Sequence, residues 1–394
     1  MSREVVFVGA ARTAIGSFGG SLKDTPPADL GALVIKTALE RAGVAAKEVG
    51  HVVLGNVIPS VPQDAYISRV AALNAGVPQE APAFNVNRLC GSGLQAVVSA
   101  AQSILLGDCD VAIGAGAESM SRGAYLVTSN RWGARMGDVK MLDFMLGALH
   151  DPRLNIHMGI TAENVAARHG ITREQQDAYA TQSQQRAAAA IEAGRFKEQI
   201  VPVEIKTRKG VVLFDTDEGV KADTSAEALA KMKPAFKKEE GTVTAGNAST
   251  LNDGAAAVVM ASAEKAKALG LKPLARLVSY AHAGVDPEYM GIGPVPASKL
   301  ALEKAGLKVS DLDLIESNEA FAAQACAVSK EMGFPNDKTN PNGSGISLGH
   351  PVGATGAILV TKALYELQRT GGRYALITMC IGGGQGIALV IERI

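Results

Sequence analysis

Cys90 stands where a thiol could act as a nucleophile. It follows a strand-like segment and begins an apolar helix predicted over residues 91–106, with glycines at 91 and 93 that allow close approach of the backbone. The unpaired N–H groups and the dipole at a helix start favour an anion, so we expect this position to lower the pKa of the thiol. Because most cysteines in cytosolic α/β proteins are small packing residues, other groups must support a catalytic interpretation.

A histidine in the second half of the chain occupies the turn that corresponds to the turn of Cys90. His350 stands directly before Pro351, which we expect at the first position of a helix. In a protein with two similar halves the starts of equivalent helices can converge, so Cys90 and His350 are predicted to form a nucleophile and base pair. On these residues alone, a capping or packing role for His350 stays open.

Two further segments could complete such a site. Cys380 ends a predicted strand and precedes a glycine turn that reaches Gly386, whose backbone N–H groups could face an oxyanion. Asn318 follows a short predicted strand at residues 314–315, and its amide could hold a water molecule or a carbonyl oxygen. Both features also occur as ordinary structural turns. Their chemistry depends on whether the fold brings them to Cys90.

The elements that must position these residues occur twice, about 260 residues apart. Residues 39–49 and residues 302–312 both indicate a helix, a glycine C-cap and a following strand. Each part continues with a helix, which starts near Cys90 in the first and near His350 in the second, and then with an apolar strand that ends in a glycine cluster. Together with 43 glycines and only 4% aromatic residues, this pattern predicts two related α/β halves.

Extra sequence from about residue 120 to about residue 243 separates the two halves. It is richer in charge, glutamine and alanine, and residues 172–193 predict a helix with a capping residue at Thr172. Residues 206–238 mix both signs of charge with short apolar runs, which indicates a surface loop and a short helix. An insertion between two such halves predicts a ligand site where the halves meet.

Composition excludes several function classes. The 394 residues are 47% hydrophobic, which predicts more than one packed unit. Lys plus Arg and Asp plus Glu both number 39, so we expect no nucleic acid and no membrane as partner. We also expect a cytoplasmic protein, because the start of the chain has no signal-like segment. We expect no metal site, because no pair of cysteines has metal-ligand spacing; the cysteines are Cys90, Cys109, Cys326 and Cys380.

Four segments together resemble the signature sequences of the thiolase family. They are NRLCGSGLQA at residues 87–96, NEAFA at 318–322, NPNGSGISLGHP at 340–351 and CIGGG at 380–384. They occur in the order and spacing of the family, and the resemblance extends over essentially the whole chain. Within the family, Met290 and residues 157–159 make the chain most similar to bacterial biosynthetic acetyl-CoA acetyltransferases and to β-ketothiolases.

The resemblance implies an architecture that spacing could not show. We expect a five-layered αβαβα arrangement in which residues 1–265 form the N-terminal half and residues 271–394 the C-terminal half. A CoA-binding loop domain is expected at about residues 120–243, inserted in the first half. The resemblance also implies a homotetramer.

The implied reaction is the reversible condensation of two acyl-CoA units in two half-reactions. Cys90 would accept the acyl group after His350 removes its proton, and Cys380 would take the α-proton of the second acyl-CoA. One oxyanion hole would pair His350 with a water held by Asn318, and the other would use the backbone N–H groups of Cys90 and Gly382. Coenzyme A is then a substrate and product, and no cofactor is expected.

The resemblance also assigns the acyl-CoA site. Residues near the pantetheine arm would be His157, Met158, Ser249, Ala320 and Phe321, together with Met290. Lys221 and Phe236 match positions near the adenine end, although such residues are more often surface or core residues. Lys221 stands where many relatives have arginine, and Thr250 replaces a usual glycine. Both departures concern affinity and chain-length preference more than the chemistry.

Other functions stay open at this point. A degradative 3-ketoacyl-CoA thiolase would catalyse the same reversible reaction. A decarboxylating β-ketoacyl synthase of the same fold would lack Cys380, and a catalytically silent acyl-CoA-binding relative would have damage in the four signature segments, which are intact. A reversible disulfide between Cys90 and Cys380 would be a possible side property.

Overall fold

The computed structural model describes residues 3–394; residues 1 and 2, with which the expected N-terminal half begins, lie outside the described residues. The strands are β1 (Val5–Arg12), β2 (Gly16–Ser17), β3 (His51–Gly55), β4 (Ala83–Val86), β5 (Val111–Ser119), β6 (Tyr125–Leu126), β7 (Leu142–Asp143), β8 (His150–Asp151), β9 (Ile156–His157), β10 (Val203–Thr207), β11 (Gly210–Phe214), β12 (Asn252–Ser262), β13 (Ala275–Gly284), β14 (Leu314–Ser317), β15 (Tyr374–Ile381) and β16 (Gln385–Arg393).

The α-helices lie between these strands and cover them. They are α1 (Pro27–Ala42), α2 (Ile67–Asn74), α3 (Ser92–Leu106), α4 (Phe144–Ala148), α5 (Met158–His169), α6 (Arg173–Glu192), α7 (Ala226–Ala230), α8 (Ala263–Ala268), α9 (Pro294–Ala305), α10 (Ala322–Met332) and α11 (Val352–Thr370).

The large sheet repeats one strand scheme in both halves. Its order is β14-β15-β16-β13-β1-β12-β5-β3-β4, and β1 and β13 pair where the halves meet. From β1 outward the order is β12, β5, β3 and β4; from β13 outward it is β16, β15 and β14, beyond which Thr339 bridges Ile315. The pairs β3·β5 and β14·β15 are parallel, and the inner pairs are antiparallel. The predicted repeat is confirmed.

Alternate residues of the strands face two different helix layers, as the period of an extended chain requires. Val6 and Val8 of β1 pack in the cluster that contains α1, whereas Val5 and Phe7 pack with α3 and α11. Helices α3 and α11 therefore lie between the two halves of the sheet, α1 and α2 cover the first half, and α9 covers β13 and β16. This is the five-layered αβαβα arrangement that the resemblance implies.

The two central helices cross at their first turns with almost no side chain between them. A methyl group added at Gly356 would lie 2.0 Å from the backbone N of Leu94, and one added at Gly93 would lie 2.8 Å from the N of Ala357. Only glycine permits such contact. The turns that precede α3 and α11 are thereby brought together, and these turns carry Cys90 and His350. Pro351 is the N-cap of α11 rather than its first residue.

The insertion between β5 and β12 contains several short elements. The predicted helix is α6, and Thr172 caps it by accepting a hydrogen bond from the backbone N–H of Gln175. The prediction for residues 206–238 is partly wrong, because β10 and β11 form a hairpin before the short helix α7. Val211, Val212 and Leu213 are all exposed, so β11 has no alternation of buried and exposed residues that would have indicated a strand.

One segment of the described chain, Leu89–Leu106, is long and apolar enough to cross a membrane. It consists of α3 and the turn before it, and 67% of it is buried inside the fold. Its apolar character is accounted for by its place between the two halves of the sheet.

Candidate active site

A cavity of about 300 Å³ lies where the starts of α3 and α11 meet the insertion. Most of its wall is apolar, and the groups in it that could react or titrate are two thiols and two imidazoles. The lining residues are Cys90, Met120, Met145, Leu146, Leu149, His157, Met158, Phe236, Ala248, Ser249, Thr250, Leu251, Met290, Ala320, Phe321, His350, Val352 and Cys380. The fold thus brings together Cys90, His350 and Cys380, which are far apart in the sequence.

A tight turn before α3 presents Cys90 to this cavity. Leu89 has a φ of 46°, a left-handed conformation that costs a non-glycine residue about 1–3 kcal/mol. Hydrogen bonds hold the turn: the backbone N–H of Arg88 donates to Ser92 Oγ (2.8 Å), and the Ser92 hydroxyl donates to the carbonyl of Leu89 (2.7 Å). The side chain of Asn87 also accepts from the N–H of Leu89 (3.0 Å). The strained backbone is therefore supported from both sides.

The surroundings of Cys90 raise its pKa, so the expectation of a lowered pKa is wrong. Burial is the largest cause, and the nearby carboxyl of Glu118 also raises it. The backbone N–H groups of Gly382 and of Cys90 itself face the thiol and oppose this rise. Although Cys90 keeps some exposure to the cavity, its neighbours are mostly apolar, and desolvation outweighs the helix start. The resting group is a neutral thiol that needs a base.

His350 is held as a neutral base. Its Nδ1 lies 2.7 Å from Thr355 Oγ1, and the Thr355 hydroxyl donates to the carbonyl of Pro351 (2.9 Å). Because that hydroxyl proton is already used, Thr355 accepts a hydrogen bond from Nδ1–H, which leaves Nε2 unprotonated and able to accept a proton. Burial lowers the pKa of His350 to about 4. The imidazole can therefore accept a proton at neutral pH.

The backbone of His350 is fixed as well. Its N–H donates to Asn252 Oδ1 (2.8 Å), and the Asn252 amide donates in turn to the carbonyl of Gly16 (3.0 Å). Thr250 donates to the same Oδ1 (2.9 Å), so this cavity-lining residue also supports the histidine.

Asn318 lies beside the imidazole at the end of β14. Its Nδ2 is 3.4 Å from His350 Nε2, and its backbone N–H donates to the carbonyl of Thr378 on β15 (3.0 Å). The side chain is fully buried. The amide N–H and the Nε2 of His350 thus lie side by side, and once Nε2 has gained a proton both could donate to an oxygen atom that carries negative charge.

Cys380 and Gly382 complete the site from the second half of the chain. Cys380 is fully buried at the end of β15, and burial together with the neighbouring Cys90 raises the pKa of its thiol well above the usual range. Gly382 packs against the cavity wall, since a methyl group there would lie 3.3 Å from Met158 Sδ. A thiol of high pKa gives a strongly basic thiolate once it is deprotonated.

Residues expected to bind the acyl-CoA line the same cavity, with one exception. His157, Met158, Ser249, Ala320, Phe321 and Met290 are all in its wall, and so is Phe236, which the resemblance placed toward the adenine end. The Phe236 ring stacks on His157 with centroids 4.7 Å apart. Lys221 is exposed and lines an adjoining cleft of about 200 Å³, which shares Ala248 and Thr250 with the cavity.

Sequence reasoning missed the residues that orient the histidine. Thr355 and Asn252 contact His350 but had no role in the predicted chemistry. Neither residue lies in the four segments that resemble the family signatures. A signal for Thr355 existed, because it lies four residues after Pro351 on the predicted helix, within reach of the carbonyl of that residue. No pattern indicated Asn252, which acts across the fold.

Comparison with known proteins identifies the family of the chain. The family described as thiolase, N-terminal domain, matches residues 5–264, and the thiolase C-terminal domain matches residues 271–393. The chain is 68% identical over 394 residues to beta-ketothiolase BktB of Cupriavidus necator, covering 100% of both chains. It is 54% identical to an acetyl-CoA acetyltransferase of Chromobacterium violaceum, covering 99% of this chain and 100% of the relative. Human mitochondrial 3-ketoacyl-CoA thiolase in complex with CoA superimposes with a TM-score of 0.96 at 45% identity, covering 100% and 98% of the two chains.

The role of Thr355 can be tested without any substrate. Replacing Thr355 by valine removes the acceptor that keeps the proton of His350 on Nδ1, so we expect alkylation of Cys90 by iodoacetamide to slow by about tenfold or more. Thr361→Val is the matched control, because Thr361 is also buried on α11 and donates to the carbonyl four residues earlier. The alkylation of Cys90 is measured by peptide mass spectrometry. Equal rates in the two variants would refute the orienting role of Thr355.

The pH dependence of the same alkylation tests the protonation states. The raised pKa of Cys90 predicts a rate that climbs through pH 7, 8 and 9 without a plateau. The pKa of about 4 for His350 predicts no acid inflection between pH 5.5 and 7. A plateau near neutrality would instead indicate a preformed thiolate and imidazolium pair.

Proposed function

The chain belongs to the thiolase family, and from that premise we propose that it is an acetyl-CoA C-acetyltransferase. It reversibly condenses two acetyl-CoA molecules, or acetyl-CoA with another short acyl-CoA, to a 3-ketoacyl-CoA and free CoA. The observation that carries the proposal is the presence of Cys90, His350 and Cys380 in the wall of one small apolar cavity. CoA is a substrate and product of this reaction, and the reaction requires no resident cofactor.

The first half-reaction transfers an acetyl group to Cys90. His350 Nε2 accepts the proton of the Cys90 thiol while Sγ attacks the thioester carbonyl, and the bond to the sulfur of CoA breaks. The departing CoA thiolate takes the proton of Cys380 and leaves as the thiol. The products are acetyl-Cys90, a protonated His350 and a Cys380 thiolate, so the charge of the site is balanced.

The second half-reaction forms the carbon–carbon bond. The Cys380 thiolate takes an α-proton from the incoming acetyl-CoA, for which the raised pKa of that thiol is an advantage. The resulting carbanion attacks the carbonyl of acetyl-Cys90, and the Cys90 thiolate leaves and recovers its proton from His350. Both cysteines and the imidazole return to the neutral forms that burial favours.

Two groups of donors can stabilise the negative oxygen atoms that arise. The N–H groups of Cys90 and Gly382, which face the thiol, suit the oxygen of the acyl-Cys90 intermediate. His350 Nε2–H and a water held by the Asn318 amide suit the thioester oxygen of the second acyl-CoA. Each donor of this kind can contribute about 3 kcal/mol to transition-state stabilisation.

We place the acyl-CoA along the cavity and the adjoining cleft. The acyl end and the pantetheine arm occupy the cavity beside His157, Met158 and Phe321, and the nucleotide end leaves through the cleft that Lys221 lines. A solved relative binds CoA, which supports this class of ligand. Lys221 supplies a positive charge for a phosphate but lacks the planar group with which arginine stacks on a base.

A degradative 3-ketoacyl-CoA thiolase is the second candidate. It uses the same groups in the thiolytic direction, and the solved relative with CoA carries that name. The cavity of about 300 Å³, whose wall includes Met145, Leu149 and Met290, favours short acyl groups over long ones. The direction of the reaction in the cell and the cytoplasmic location stay predictions.

Activity can be measured directly by thiolysis. We expect acetoacetyl-CoA and free CoA to yield acetyl-CoA, and Cys90→Ser to lower kcat by about 1,000-fold or more because the hydroxyl is a far weaker nucleophile. Cys109→Ser is the control, since Cys109 is a free, partly buried cysteine outside the cavity. 3-Ketovaleryl-CoA and longer 3-ketoacyl-CoAs should then rank the acyl lengths.

Turnover together with an acetyl adduct on Cys90 would support the acetyl-CoA C-acetyltransferase. A preference for long acyl chains would instead support the degradative 3-ketoacyl-CoA thiolase. Folded protein that binds CoA but turns over none of these substrates would leave a catalytically silent acyl-CoA-binding relative as the explanation.

The assembly that we propose is a homotetramer. Edge strand β4 leaves Phe84 42% exposed, and the insertion exposes Trp132 (91%), Met136 (97%) and Met141 (60%), an apolar set that a second copy could cover. Sedimentation velocity should show one species of four chains, and Trp132→Glu with Met136→Glu should give smaller species. A stable monomer of the wild type would contradict the proposal.

A further inference from the structure

A buried carboxyl group lies beneath the two reacting residues and has no part in the steps above. Glu118 is the penultimate residue of β5, is fully buried, and is absent from the cavity wall. Four donors surround it. Its Oε2 accepts from the backbone N–H groups of Val57 (3.1 Å) and Gly353 (2.9 Å), and its Oε1 accepts from the N–H of Ile58 (3.1 Å) and the amide of Asn56 (2.9 Å).

These donors belong to the two segments that flank the reacting groups. Val57 and Ile58 form an apolar cluster with Val352, and Cys90 and Leu89 pack against that cluster. On the other side, Gly353 is the second residue of α11, three residues after His350. One carboxyl group therefore joins the loop that supports Cys90 to the helix that begins after His350.

The contact depends on a glycine. A methyl group at Gly353 would lie 2.6 Å from Glu118 Oε2 and would push the carboxyl group away from the N–H of that residue. Gly116 on the same strand also approaches this helix start, since a methyl group there would lie 2.4 Å from the carbonyl of Gly353. The backbone around Glu118 is thus shaped to let α11 reach it.

All four partners of Glu118 are donors, so the ionised form is the one that they accommodate. Burial raises the pKa of Glu118 to about 8, and the N–H groups of Ile58, Gly353 and Val57 oppose that rise. A protonated carboxyl would turn a hydrogen toward one of these N–H groups and would lose that bond. In its ionised form Glu118 also raises the pKa of the nearby Cys90 thiol, although burial of that thiol is the larger cause.

We propose that Glu118 is a positioning residue that sets the distance between Cys90 and His350 by holding the Val57–Ile58 loop against the start of α11. It touches neither substrate nor reacting atoms and acts through these two residues. The effect on turnover rests on the proposed function. The rate at which Cys90 is alkylated tests the positioning role without any substrate. A displacement of about 1 Å between a nucleophile and its base can cost on the order of 100-fold in rate.

Glu118→Gln is the main variant, because it keeps the shape and places an NH₂ or a neutral oxygen against the four donors. We expect kcat for thiolysis of acetoacetyl-CoA to fall by about 10- to 100-fold, while KM changes by less than about threefold, since the cavity wall is intact. Glu163→Gln is the matched control. Glu163 is also a buried carboxylate that accepts only from neutral donors, namely the N–H groups of Thr242 and Val243 and the Thr242 hydroxyl, but it contacts neither α3 nor α11.

A double-mutant cycle separates positioning from a loss of fold. In the wild-type background, Glu118→Gln should slow alkylation of Cys90 by iodoacetamide by about tenfold, because the base no longer meets the thiol. In a His350→Ala background the same substitution should cause no further slowing. Equal slowing in both backgrounds, or a Glu118→Gln variant that matches Glu163→Gln in every measurement, would overturn the proposal.

Two further results have defined meanings. If Glu118→Gln does not fold, Glu118→Asp replaces it in the cycle. Aspartate keeps the charge but is too short to reach Gly353 and the loop together. Glu118→Asp should therefore slow alkylation less than tenfold, but more than Glu163→Gln does. If the wild type shows no thiolysis, the proposed function fails, and the alkylation cycle alone decides the role of Glu118.

Discussion

The close crossing of α3 and α11 is the constraint on which the site depends. Gly93 and Gly356 let the first turns of the two helices touch through their backbones, and Gly116 of β5 lets α11 approach the sheet at the same place. Side chains of ordinary size would separate the helices by several ångströms. Because Cys90 and His350 each stand two residues before the first residue of their helix, the crossing converts a repeat in the chain into a pair of reacting groups.

Desolvation then decides the protonation of that pair. The cavity wall is mostly apolar, and burial raises the pKa of both thiols while it lowers the pKa of His350. All three reacting groups are neutral at rest, so none of them carries a buried charge before a substrate arrives. Charge appears only during the reaction, next to N–H groups that already point to it. The same desolvation raises the basicity of the Cys380 thiolate, which favours the removal of an α-proton that we propose for it.

Local patterns were enough to predict the two repeated halves and the turns of Cys90 and His350, whereas the layered arrangement and most residues of the cavity wall were implied only by the resemblance to the thiolase family. The glycine-capped helices at Gly43 and Gly306, the strands that follow them and the turns of Cys90 and His350 all depend on neighbouring residues, and the structure has them as predicted. The prediction of a lowered pKa for Cys90 was wrong because the residues that desolvate its thiol come from distant segments of the chain. Asn252 and Glu118 were missed for a related reason: their partners are set by the crossing of helices and by contacts between distant segments. Thr355 was missed although its partners, His350 and Pro351, lie within five residues of it. The β10–β11 hairpin was missed because its second strand, β11, exposes successive apolar residues.

The two halves have equivalent frameworks but different residues at equivalent places, and this difference makes the site asymmetric. The turn before α3 presents a thiol and the turn before α11 presents an imidazole, while β15 ends in a second thiol where its counterpart β5 ends with Glu118 and Ser119. A nucleophile and a base could not both arise from an exact repeat. The rest of the cavity wall has a third source, since His157, Met158 and Phe236 belong to the insertion and Thr250 lines the wall with them. Changes in that insertion can alter the acyl group that is accepted while the crossing helices, and with them the order of proton transfers, stay the same.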